Sequence, residues 1–240
     1  MYPTLKRNFV WLLRKVGLAL PRRFASRTAQ YLLSGCGVGV FQCPEALAGL
    51  YGDLERILEQ RGSGIQPLEA LQLYLAVRAS GKVEGELAEV GVFRGGSARI
   101  ICAAKGARPL HLFDTFKGIP RVGEVDRPFF YEGQYAAPLK DVEQYLAEFP
   151  AVFYYEGVFP EAAASVAAKK FALVHLDVDT YESTLACLKF FFPRMHPGGI
   201  LISHDYSQVP GVQRAFEEFL AAKSEPLIEL LGSQCLLFKL

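Results

Sequence analysis

After Gly81 the chain repeats one pattern five times: a short, almost wholly apolar run, then a segment with helical spacing. The runs are Glu86–Val92, Leu110–Asp114, Val152–Glu156, Phe171–Asp177 and Ile200–His204. Strands that alternate with helices and lack a polar face belong to a parallel sheet covered on both sides. The intervening helices are expected at Gly96–Lys105, Leu139–Glu148, Pro160–Ala168, Glu182–Phe192 and Val212–Lys223. Leu227–Leu231 and Cys235–Phe238, around Gly232-Ser233, read as a closing hairpin. The expectation is a doubly wound α/β sheet, mostly parallel, with an antiparallel hairpin strand at its C-terminal end.

The first 82 residues differ. From Met1 to Pro44 there is no acid but seven Lys and Arg residues, and Leu5, Phe9, Leu12, Leu13, Val16 and Leu20 recur at helical spacing. Helices are expected at Glu45–Gln60 and from Pro67, a favoured first helical position, to Ser80, with Gly62-Ser63-Gly64 between them. This gives two regions: 1–82, a helical extension, and 83–240, the α/β domain. Net charge is +1, which argues against a nucleic-acid partner. The five cysteines form no C-x-x-C pair, and Cys102, Cys187 and Cys235 sit in apolar runs as small core residues. A reducing, cytoplasmic setting is expected, with no apolar run long enough for a bilayer.

In doubly wound sheets ligands bind at the carboxyl ends of the strands, and here those ends are polar. The first carries Glu89-Val90-Gly91-Val92-Phe93-Arg94-Gly95-Gly96-Ser97, a glycine turn opening a helix. Its spacing is neither G-x-G-x-x-G nor a phosphate loop, and Glu89 suits a cationic or amino-bearing ligand; a bare tight turn reads as well. Asp114, ending the second strand, can accept hydrogen bonds from ribose hydroxyls or cap the next segment. The fourth and fifth strands end in Asp177-Val178-Asp179 and His204-Asp205. Such groups emerging from apolar strands are costly unless paired, hydrated or metal-bound. One acid, Asp179 or Glu182, can cap the following helix, and His204 can hydrogen-bond a carboxylate; capping does not account for the whole set. The stretch Gly118–Pro138, with Phe129, Phe130, Tyr131 and Tyr135, reads as a lid or as a self-packed loop.

Together, E-V-G-V-F-R-G-G-S, D-T-F-K-G-I-P, E-G-V-F-P-E, L-D-V-D-T-Y-E-S-T and H-P-G-G-I-L-I-S-H-D-Y, spanning about Glu84 to Phe219, resemble the macrocin-type sugar O-methyltransferases. The resemblance implies a seven-stranded class I methyltransferase sheet, S-adenosylmethionine as cofactor and a divalent metal, Mg²⁺ or Mn²⁺. Carried over by position, Glu89, Gly91, Phe93, Gly95 and Ser97 would line the methionine and adenosine side. Asp114 would hold the ribose, with Phe116 beside it and Gly157 and Val158 near the adenine. Asp177 would be metal ligand and general base, with Asp179 the alternative base, and His204 and Asp205 would complete the metal set. The family often has Asp-Asp-Tyr where this chain has His204-Asp205-Tyr206; the exchange removes a negative charge and weakens Mg²⁺ binding. His204 then reads as a ligand, as the base of a metal-free site, or as support for Asp205. The acceptor implied is a hydroxyl of a sugar, glycan or other small molecule, and self-association is implied too. The basic segment Leu5–Leu20 fits packing on the domain or a second subunit, or peripheral contact with an anionic membrane. The rival readings are a catechol-like phenol O-methyltransferase and a catalytically inactive nucleoside-binding protein.

Overall fold

The computed structural model describes residues 43–240; the expected amphipathic helix near Leu5–Leu20 and the glycine-rich connection at residues 35–39 lie outside them. The chain divides into two compact units, Met1–Gly49 and Leu50–Leu240. The division falls within the first described helix, α1 (Glu45–Arg61). In the larger unit, α2 (Pro67–Ala79) packs on α3 (Gly96–Lys105). Its start is set by Pro67 in the first turn and by a capping box, in which the Glu69 carboxylate accepts the Gln66 N–H at 2.8 Å.

Seven strands form one sheet: β1 (Glu86–Val90), β2 (Leu110–Asp114), β3 (Val152–Glu156), β4 (Phe171–Leu176), β5 (Met195–Ser203), β6 (Leu227–Glu229) and β7 (Cys235–Phe238). Their order is β3-β2-β1-β4-β5-β7-β6; the first five are parallel, and β7 runs antiparallel to both β5 and β6. The remaining helices are α4 (Leu139–Leu146), α5 (Tyr181–Phe191) and α6 (Pro210–Leu220). The apolar runs occupy the interior, where Phe113, Phe171 and Phe191 are fully buried against one another. Each such ring contributes about 1.5–3 kcal/mol by leaving water. Cys102, Cys187 and Cys235 are buried and free, as expected.

Three of the differences from the sequence expectation have a local cause. β1 stops at Val90, because Gly91 takes a left-handed φ of 85° and leaves the ladder. β5 begins at Met195, since the Pro197-Gly198-Gly199 stretch still pairs: Gly198 N–H donates to the Lys239 carbonyl and Lys239 N–H to that of Gly199. Glu161–Val166 is a 3-10 turn of six residues, too short to settle into the expected α-helix.

At the other end of the sheet, Glu86 takes a hydrogen bond from Lys169 at 2.9 Å and pairs with His111, whose Nδ1 is 2.9 Å from the Tyr155 hydroxyl. Burial pushes the Glu86 carboxyl up, and the bonds from Lys169 and His111 more than offset it, holding it below its ordinary value. Burial also lowers His111, against the pull of Glu86. Both groups bind protons more weakly folded than unfolded, so their contribution is present at neutral pH and is lost on acidification. Glu86→Gln is expected to flatten the fall in unfolding free energy between about pH 5 and pH 3, read by urea denaturation. Equal slopes for the two proteins would remove Glu86 from the acid response.

Candidate active site

The carboxyl ends of the central strands are brought level by backbone hydrogen bonds between neighbours. Gly91 N–H donates to Phe113, Asp177 N–H to Val90, His204 N–H to Leu176 and Gly157 N–H to Asp114. Along this edge opens a cavity of about 450 Å³, a size ordinary for small-molecule sites. Gly91 is obligatory at its floor: a Cβ there would lie 1.8 Å from the Asp177 carbonyl oxygen.

Of the residues singled out in the sequence, Gly91, Phe93, Asp114, Gly157 and Val158 lie on one side of the lining, and Asp177, Asp179, His204 and Asp205 complete it. Glu89, Gly95, Ser97 and Phe116 are behind the wall. Glu89 is fully buried, with one oxygen 2.8 Å from Nδ1 of the equally buried His175, its partner in register across β1 and β4. Gly95 caps α3 in a left-handed conformation, and Ser97 and Phe116 are buried. Asp114 braces the turn: Oδ2 accepts the N–H groups of Val92 at 2.7 Å and Phe93 at 2.9 Å, and Oδ1 that of Phe116 at 2.8 Å. A carboxylate has about four acceptor sites, so this cap leaves capacity toward the cavity.

The backbone is strained here. Six non-glycine residues among those described have left-handed φ, and four of them, Phe93, Tyr135, Asp179 and Asp205, line the cavity. Such conformations cost roughly 1–3 kcal/mol each and gather where a site requires them.

His204 stands at the centre of the polar wall. Nδ1 lies 3.1 Å from Asp177 Oδ1 and 2.9 Å from Asp205 Oδ1, yet at angles that make no hydrogen bond, and so is a buried nitrogen without a partner. Nε2 is 3.3 Å from Glu69 Oε2. Burial works against a charged imidazole, but the carboxylates of Asp177, Asp205 and Glu69 outweigh it and hold His204 well above its usual range. Asp177, which burial would raise, is held low by His204. Asp179 goes the other way, pushed well up by burial and by the charges of Asp177 and Asp205.

The donor set suits a divalent cation. Asp177, His204 and Asp205 each offer one atom, all within 4.8 Å of one another. Adjacent corners of an octahedron with bonds near 2.1 Å are about 3 Å apart, as the Nδ1–oxygen separations are. Carboxylates favour Mg²⁺, and an imidazole among them widens the choice toward Mn²⁺ or Zn²⁺.

Several contributors were not anticipated. Ser63 and its flanking glycines line the cavity, although in sequence they read only as a helix break. Of the aromatic residues expected as a lid, Phe130 and Tyr135 line the cavity and Phe129 and Tyr131 do not. Asp126 anchors that stretch: it is 1% exposed and accepts the Tyr181 N–H at the start of α5. Glu69, 2% exposed, is not among the residues singled out in the sequence.

A glycine turn after β1, an acid ending β2 and this sheet order define a class I methyltransferase. The family model of the macrocin O-methyltransferases matches residues 62–230. A tetracenomycin 4'-O-methyltransferase of Streptomyces olivaceus, named for a rhamnosyl-bearing substrate, is 32% identical over 188 residues, covering 71% of this chain and 72% of the relative. The mycinamicin III 3''-O-methyltransferase of Micromonospora griseorubida is 26% identical over 75% of this chain and 82% of its own. Among solved structures, the O-methyltransferase NovP superposes with a TM-score of 0.65 at 25% identity, covering 74% of this chain and 81% of that one. The chain belongs to the macrocin O-methyltransferase family and is an S-adenosylmethionine-dependent O-methyltransferase. Among the described residues no helix is long and apolar enough to cross a membrane.

Proposed function

We propose that the protein methylates a hydroxyl of a sugar or glycoside, with Mg²⁺ or Mn²⁺ held by Asp177, His204 and Asp205 and with Asp179 as general base. The observation that carries this is the meeting, in one cavity, of the glycine turn and Asp114 with the cluster Asp177, Asp179, His204 and Asp205. The rhamnosyl-bearing substrate in the Streptomyces olivaceus relative's name supports a sugar over a phenol. S-adenosylmethionine supplies the methyl group on a sulfonium, and the metal, when bound, supplies positive charge that lowers the acceptor's pKa.

The chain's own residues do the positioning on which such a displacement depends. Gly91, Phe93, Gly157 and Val158 form the cofactor wall, and Asp114 offers its remaining acceptor capacity to the ribose. Glu89, Gly95, Ser97 and Phe116 act from behind by holding the turn. Asp179 takes the acceptor's proton, and Phe130 and Tyr135 present ring faces to a sugar. The arm Leu5–Leu20 serves self-association or contact with an anionic membrane surface, which sedimentation and vesicle flotation separate.

The test is calorimetric titration with S-adenosylhomocysteine, with and without Mg²⁺ or Mn²⁺, followed by methyl-transfer assays on a rhamnosyl glycoside and on catechol. Expected are micromolar binding, a loss of about 10–100-fold in Asp114→Ala, and product from the glycoside that chelation abolishes. Binding without turnover on any acceptor would point to an inactive nucleoside-binding protein. Product from catechol alone would overturn the sugar assignment.

A further inference from the structure

We propose that Glu69 is a positioning residue of the metal centre: its carboxylate accepts the Nε2–H of His204, which leaves Nδ1 turned toward Asp177 and Asp205 as the ligand atom. This rests on the reading that Asp177, His204 and Asp205 hold a divalent cation.

The geometry around Glu69 is closed. Oε2 takes the Gln66 N–H at 2.8 Å and lies 3.3 Å from His204 Nε2. Oε1 takes both the backbone N–H and the hydroxyl of Ser233, each at 2.7 Å. Four donors meet the roughly four acceptor sites of one buried carboxylate, so its orientation is over-determined. The β6–β7 turn is shaped around it: Gly232 has a φ of 98°, and a Cβ there would lie 2.6 Å from Glu69 Oε1. The Ser233 hydroxyl, while donating to Glu69, accepts the N–H of Asp205 at 3.2 Å. One carboxylate on α2 therefore fixes the ring of His204 directly and the backbone of Asp205 through Ser233.

Chemistry gives this arrangement its purpose. A metal-bound histidine commonly donates its other N–H to a carboxylate, which sets the tautomer and strengthens the ligand. The ligand set itself carries two carboxylates, and Glu69 adds a third negative charge from behind the imidazole. The buried, unpartnered Nδ1 is the atom this tautomer makes available.

The experiment is Mn²⁺ titration of the full chain followed by electron paramagnetic resonance, on wild type and Glu69→Gln, with S-adenosylhomocysteine affinity measured alongside. Expected is Mn²⁺ binding weakened about 10–100-fold in the variant, with cofactor affinity unchanged. Should that variant not fold, Glu69→Asp, which keeps the charge but withdraws it from Nε2, is expected to weaken Mn²⁺ binding in the same direction and by less. Long-range proton–nitrogen spectra of Mg²⁺-loaded wild type read the tautomer without any variant: a proton on Nε2 and none on Nδ1 is expected, and the reverse overturns the proposal. Equal Mn²⁺ affinity in wild type and variant overturns the role of Glu69 and leaves the metal reading intact. Wild type that binds no Mn²⁺ overturns the metal reading, and this inference with it.

Discussion

Asp179→Asn is expected to lower kcat by about 10²–10⁴-fold, the range for loss of a positioned base, while S-adenosylhomocysteine affinity stays within about two-fold. The substitution keeps the shape and removes only the capacity to take a proton. Asp179 is the better base because its neighbours treat the two strand-end acids oppositely. Asp177 lies 3.1 Å from His204 Nδ1 and is held low, as suits a ligand and not a proton acceptor. Asp179 lines the same cavity from a left-handed backbone position but lies outside the three-residue donor set, and burial, the largest influence on it, raises its carboxyl. Since that environment penalises its charge, the neutral amide is also expected to leave thermal stability unchanged or raised. Steady-state kinetics at saturating S-adenosylmethionine decide the matter. If Asp179→Asn keeps kcat within about three-fold, Asp179 is not the base.

The parts of this molecule that were legible in sequence share one physical reason. Parallel strands buried on both faces must be apolar throughout, so a polar residue at a strand's carboxyl end stands out, and Asp114, Asp177, His204 and Asp205 were found in that way. What stayed hidden depends on which distant segments touch. Glu69 sits three residues after Gln66 in the capping box of α2, and its burial needs Ser233, 164 positions away, to close over it. Asp126 looks like one more polar residue in a loop until the start of α5 is placed against it. Glu89 ends an apolar strand as the cavity acids do, which made it look cofactor-facing. Register pairs it with His175, a buried contact that no local sequence pattern announces.

That pair yields the largest stability effect expected here. Glu89 and His175 are both fully buried, joined by one 2.8 Å contact, and Glu89 Oε2 and His175 Nε2 have no hydrogen-bond partner. Burial raises the Glu89 carboxyl, and His175 works against that rise. Removing one partner strands the other in an apolar sheet, so His175→Ala is expected to cost about 3–5 kcal/mol in denaturant unfolding. Replacing both with leucine removes the desolvation problem along with the bond. The double variant is therefore expected to be more stable than His175→Ala by at least about 2 kcal/mol. A double variant no more stable than the single one would mean that the pair is a net stabiliser of β1 against β4. The same protein also sorts the two roles open to Glu89. An acid that only holds the turn leaves S-adenosylhomocysteine affinity within about three-fold, whereas a loss beyond about ten-fold, some 1.4 kcal/mol, would mean that the turn opens and Glu89 reaches the cofactor.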